Sequence, residues 1–174
     1  KSAIAKAEEH IRKNSKKRFE LVVFDFPGHA GTSDLLELSL EMDYILSPIE
    51  ADVQSMVSCL AYAKTMQDLG VSMTGARIKD VMLLWNKVDR RVKSTLIEKY
   101  SEYIRNEGYT LFDEHVYAAH RFCHELEQYG FRGAFRSTYL APGKAQRAGT
   151  GLDEMIDSLL THIRLKKEAD NGTD

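Results

Sequence analysis

The feature that most constrains this chain is Val81-Met82-Leu83-Leu84-Trp85, an unbroken apolar run closed by the polar turn Asn86-Lys87-Val88-Asp89. A strand with one wet face alternates apolar and polar residues. A run without alternation suits a strand covered on both faces, as in parallel sheets. Parallel strands need long crossovers, usually helical, and the flanking sequence supplies them. Phe19 to Phe24 and Tyr44-Ile45-Leu46-Ser47-Pro48-Ile49 read as two more strands, the second stopped by Pro48, with further strands expected within 109–117 and over 135–140. Between and around them, helices are predicted over 2–18, 32–42, 52–69, 93–106, 118–129 and 152–165 from apolar residues recurring at three and four. Gly70 is a fitting stop for the helix over 52–69, whose inward face is predicted to carry Val53, Met56, Val57, Leu60, Ala63 and Met66. For the helix over 93–106 the inward residues are predicted to be Leu96, Tyr100, Tyr103 and Ile104. The expected class is α/β, a mostly parallel sheet with helices on both faces. Residues 1–165 are expected to form a single domain, followed by a polar tail over 166–174.

Composition narrows the function classes. A chain of 174 residues can bury a real core, and 43% hydrophobic with 29% charged residues fits neither disorder nor a fibre. The formal charge of −2 argues against a globally basic nucleic-acid binder while leaving room for local patches. Cys59 and Cys123, the only cysteines, make neither a disulfide framework nor a metal cluster and suit a reducing cytosol. No apolar run reaches 18 residues and no signal-peptide pattern is present, so a cytoplasmic protein without membrane association is expected.

In open parallel sheets, ligands sit beyond the carboxyl ends of the strands. Two such ends carry chemistry here. Asp25-Phe26-Pro27-Gly28 follows the first run. An acidic group at the tip of a buried strand is poorly solvated unless it meets a cation or a donor, and in nucleotide hydrolases such a carboxylate holds Mg²⁺, usually through water. Gly28 would let its backbone N–H approach a phosphate closely. At the end of the third run, the Asn86 amide offers a donor and an acceptor that can match a purine edge, and Asp89 could accept protons from a guanine. Each motif alone is also explained as a capped βα turn; two on one sheet point to a nucleotide site. No Gly-rich loop ending in Gly-Lys-Ser/Thr precedes the Asp25 segment. Without its backbone cradle and lysine, this chain alone is expected to hydrolyse nucleotide poorly or not at all.

Other constellations carry less. His120 and His124 share a helical face near His115 and Cys123, but no clear third ligand accompanies them and a plain helix face is the better reading. The basic run Lys13 to Arg18 and the group Arg132, Arg136, Lys144 and Arg147 could meet phosphates, yet such runs are mostly solvated surface. Ser58 and Ser137 have no His–Asp pattern beside them, so a hydrolase triad has no support.

Phe19-Glu20-Leu21-Val22-Val23-Phe24-Asp25-Phe26-Pro27-Gly28 resembles the Walker B and switch segment of the ParA/MinD family of deviant-Walker P-loop ATPases. Tyr44 to Asp52 resembles that family's next strand, with a proline ahead of a short acidic segment and a long helix. Leu83-Leu84-Trp85-Asn86-Lys87-Val88-Asp89 resembles the strand ending in the adenine-contacting Asn. Trp85-Asn86 with Val88-Asp89, Arg121-Phe122 with Glu125-Leu126, and Phe135-Arg136-Ser137-Thr138 are similar to the ParA-like TraA proteins of conjugative transposons. The resemblance covers most of residues 19–165.

The resemblance implies a P-loop NTPase fold without its N-terminal strand and phosphate loop. The chain, which begins at Lys1 rather than Met, is thus expected to be the C-terminal portion of a longer protein. It implies an ATPase that binds ATP and Mg²⁺, dimerises around nucleotide, associates non-specifically with DNA, and works with a partition- or transfer-type partner on mobile DNA. By position, Asp25 would be the Mg²⁺-side carboxylate, Gly28 with Pro27 the γ-phosphate sensor segment, and Asn86 the adenine reader. Tyr117 stands where the family often has a base-contacting proline. Two other classes remain. Asp25-x-x-Gly28 with Asn86-Lys87-x-Asp89 literally satisfies the switch and guanine motifs of GTPases, although the Ser-Ala-Lys-like segment of that class is missing. The sheet could also serve as a non-enzymatic scaffold for a protein or DNA partner.

Overall fold

In the computed structural model, the residues described are 3–16, 19–26, 33–91, 95–119, 122 and 142–165. The architecture is α/β. In chain order it comprises α1 (Ala3–Asn14), α2 (Ser33–Leu40), β1 (Tyr44–Ile49), α3 (Val53–Ser72), β2 (Asp80–Trp85), α4 (Thr95–Asn106), β3 (Thr110–Leu111), α5 (Lys144–Arg147) and α6 (Leu152–His162). The strands form one sheet in the order β1-β2-β3. Strands β2 and β3 are parallel, Met82 facing Thr110 and Leu83 facing Leu111. Between the β1 and β2 segments, the Lys79 N–H donates to Asp43 O and the Asn86 N–H to Ile49 O, a near-constant offset that also marks parallel pairing.

The chain divides into two compact units. The first holds Lys1–Ile45 and Leu60–Val81; the second holds Leu46–Cys59 and Met82–Asp174. In the first, Ile4, Leu40, Ile45, Ala63, Met66 and Val81 are buried. The Tyr62 hydroxyl donates to Ser39 Oγ at 2.8 Å, so the buried serine is satisfied. Arg77 and Lys79 both reach the Asp43 carboxylate at 3.1 Å.

In the second unit residues 82–85 of β2 are all buried, as a central strand covered on both faces requires. Its largest residue, Trp85, is wholly buried and donates its indole N–H to Ser101 Oγ on α4 at 2.8 Å. Helix α4 buries Ile97, Ser101 and Ile104, one stripe at four and three. The stripe is rotated one position from the predicted one: Tyr103 is exposed and Tyr100 only half-buried. The hydroxyl at 101 explains the rotation, since that face must bring it to the indole.

Four further expectations are corrected. Helix α3 runs through Gly70 to Ser72, and the chain turns at Gly75, whose φ of +100° suits glycine. On α3, Met56, Ala63 and Met66 are buried as expected, but Val53 and Val57 are exposed. Pro48 lies within β1, which is tolerated because β1 is at the edge of the sheet among the described residues. The largest correction concerns residues 19–26, which form no strand: Phe19, Leu21, Val22 and Val23 are exposed, Val23 at 80%. A parallel strand exists only where a neighbour completes its hydrogen bonds, and no described residue does so for this segment. The helix expected over 118–129, the strand over 135–140 and the tail over 166–174 fall wholly or mostly outside the described residues. Among the described residues, no helix is long and apolar enough to cross a membrane.

Candidate functional site

The second unit gathers three chain segments around the carboxyl end of β2. The Asn86 N–H donates to Ile49 O at 2.8 Å, which ties the tip of β2 to the end of β1. On the other side, Val116 N–H donates to Trp85 O, Val88 N–H to Val116 O and Ala118 N–H to Val88 O, at 2.9 to 3.1 Å. Val88 and Tyr117 thereby form a parallel bridge beyond the regular strands. Lys87 lies between these anchors with φ of 53°, a left-handed conformation uncommon for a residue with a side chain. That twist lets the chain leave the ladder at Asn86 and rejoin it at Val88.

Side chains fix the turn. Lys87 Nζ pairs with Glu50 Oε1 at 2.5 Å, joining the ends of β2 and β1. Glu50 is held from its backbone, its N–H donating to Ser55 Oγ at 3.0 Å. The Ser55 N–H in turn donates to Asp52 Oδ1 at 2.8 Å, an N-terminal cap on α3. The Asn86 side-chain amide, half-buried at the centre, takes no hydrogen bond among the described residues.

Asp89 is differently placed. Its Oδ1 accepts from the Arg91 backbone N–H and from Arg91 Nε, both at 2.9 Å, and its Oδ2 accepts from Arg91 Nη2 at 2.7 Å. Those hydrogen bonds lower the Asp89 carboxyl to about 2. The neighbouring Arg90 guanidinium lies over the Tyr117 ring, 3.7 Å from its centroid.

Tyr117 is supported from behind. Its N–H donates to Thr150 O at 2.8 Å, and Thr150 is fully buried with its hydroxyl on Arg147 O. Gly151 follows with φ of +74°; a Cβ there would sit 2.0 Å from His115 O and 3.3 Å from Tyr117 Cδ2. Only glycine allows this approach. The His115 ring stands 6.2 Å from that of Tyr117, and burial lowers its pKa, with Arg105 adding to the effect.

Of the sequence-predicted site residues, Asn86, Asp89 and Tyr117 come together in the second unit. Asp25 belongs to the first unit, exposed and outside any strand rather than at a buried strand tip. Pro27 and Gly28 lie outside the described residues, as do His120, His124 and Cys123. Among the described residues, no group of three or more His, Cys, Asp or Glu could hold a metal ion. Sequence reasoning missed Glu50, Arg90, Arg91 and Gly151 as parts of the site. The Gly149-Thr150-Gly151 run was a visible signal for a close approach; nothing in the sequence indicated which partner Arg90 or Arg91 would take.

The arrangement suits a flat, polar-edged ligand. Among the described residues a central amide has a donor and an acceptor uncommitted, an aromatic ring carries a guanidinium on its face, and the nearby Glu50 is paired with Lys87. No protein-family model matches this chain, and neither a curated protein nor a solved structure matches it.

Proposed function

We propose that the turn at the end of β2 is the base-binding half of a purine-nucleotide site, in a P-loop ATPase of the ParA/MinD type that acts on mobile DNA. The observation that carries this reading is the Asn86 amide, without a side-chain hydrogen bond among the described residues, at the tip of the central strand between the end of β1 and the Val88–Tyr117 bridge. Strand tips of parallel sheets are where such ligands bind. An amide with both a donor and an acceptor open can meet the donor–acceptor edge of adenine. Tyr117 with Arg90 offers a stacking face in the place of a proline.

ATP would supply the phosphates, with Mg²⁺ as their counter-ion. By the sequence resemblance alone, Asp25 would be the metal-side carboxylate and Pro27 with Gly28 the γ-phosphate segment. Hydrolysis is not ascribed to these residues alone, because no Gly-rich phosphate loop occurs in the sequence. Homodimerisation around nucleotide, DNA association and a partition- or transfer-type partner belong to the same proposal and rest on the sequence resemblance.

The test is equilibrium binding of ATP and GTP to this chain by fluorescence polarisation. Saturable ATP binding that Asn86→Ala weakens, by about 1–3 kcal/mol, is the expected result for loss of a specific hydrogen bond in a partly desolvated site. ATP binding of equal strength in wild type and variant would remove Asn86 from the site.

A further inference from the structure

The turn Asn86-Lys87-Val88-Asp89 has the residue types of a guanine reader, yet its acidic member is turned to an internal partner. A guanine is recognised by a carboxylate when its N1–H and exocyclic N2–H reach the two carboxylate oxygens together. Here Oδ1 of Asp89 already accepts two hydrogen bonds, from the backbone N–H and Nε of Arg91, and Oδ2 accepts a third from Nη2. The fork is the bidentate geometry that a guanine would use. Adenine needs nothing from this carboxylate, because its corresponding edge presents no such pair of donors.

We infer that Arg91 is a specificity-determining residue, a latch that withholds the Asp89 carboxylate from guanine and so biases the purine site toward adenine. The inference rests on the purine-site reading above. Arg91 touches no base itself; it acts through Asp89 and is a positioning residue. Its side chain is 88% exposed, so the latch can open, and its effect is a bias rather than a block. The adjacent Arg90 is committed differently, on the ring of Tyr117. The two arginines of one turn therefore divide the work: one lies on the stacking face, the other closes the acidic group.

The experiment measures binding of the N-methylanthraniloyl derivatives of ATP and GTP to the wild-type chain, to Arg91→Ala, and to Arg91→Ala combined with Asp89→Ala. Arg91 is exposed, so the first variant removes no buried contact, and circular dichroism checks its fold. The expected result is a shift of the ATP-to-GTP affinity ratio toward GTP by about fivefold in Arg91→Ala, the scale of one exposed ion pair. Adding Asp89→Ala should remove that gain, which a merely structural role for Arg91 would not produce. If the wild-type chain binds ATP and Arg91→Ala leaves the ratio unchanged, the latch is overturned while the purine site stands. If the wild-type chain binds neither nucleotide, the purine reading itself falls and the latch with it.

Discussion

Residues 19–26 and residues 80–91 are built on one chemical plan. Each is an apolar run that ends on a polar turn, Phe19 to Phe24 before Asp25 and Val81 to Trp85 before Asn86. The second run is a fully buried strand between β1 and β3, and its turn is fixed by backbone bonds on both sides. The first is exposed and makes no strand. Hydrophobicity and β-branching are equal to the task in both, so the difference lies in the neighbours. An apolar run becomes a parallel strand when adjacent backbones accept and donate its hydrogen bonds and when helices cover it. The polar turn that follows is fixed in place only when that strand holds it still.

The comparison can be broken by truncating the same residue type in each run. Leu83→Ala should cost about 2–5 kcal/mol in urea unfolding, because Leu83 is wholly buried and a cavity remains. Leu21→Ala should change stability by less than about 0.5 kcal/mol. Equal losses would mean that the two runs are equally packed. A loss of similar size, about 3 kcal/mol, is expected for Gly151→Ala, which combines a left-handed backbone with a collision against His115 O. Ser101→Ala sharpens the picture of β2: it leaves the buried Trp85 N–H without an acceptor and should cost about 1–3 kcal/mol.

The smallest effect is a titration. Asp89 is held at about 2, below its ordinary 3.8, by Arg91. A carboxyl lowered in the folded state stabilises it above the ordinary value, and that contribution fades as pH falls from near 4 toward 2. Carbon NMR of the Asp89 carboxyl should follow that low midpoint in the wild type and a higher one in Arg91→Ala. An unchanged midpoint would show that the ion pair does not persist in solution.

Much of this architecture was legible before any coordinates. β1, β2 and the helices α1 to α4 and α6 fall within a few residues of their predicted places, because each carries its own periodicity or its own unbroken apolar run. What escaped was whatever depends on a distant partner. The face of α4 turned with Ser101, whose role exists only because Trp85 needs an acceptor. The end of α3 moved past Gly70, which stays inside the helix where an added Cβ would only reach ordinary contact with Ile78, to the left-handed Gly75. In the candidate site, Asn86 and Asp89 could be nominated from motif and Tyr117 from the family resemblance. The pairing of Lys87 with Glu50, of Arg90 with Tyr117 and of Arg91 with Asp89 could not, since each depends on a turn geometry set by the left-handed Lys87.

The most direct measurement is an amide chemical-shift map of the isotope-labelled chain titrated with ATP and with GTP. Saturable shifts clustered at Asn86, Val88, Arg90 and Tyr117, larger with ATP than with GTP at equal concentration, are the predicted result. Shifts absent from that turn, or spread evenly over the exposed basic residues, would contradict a purine site at the end of β2.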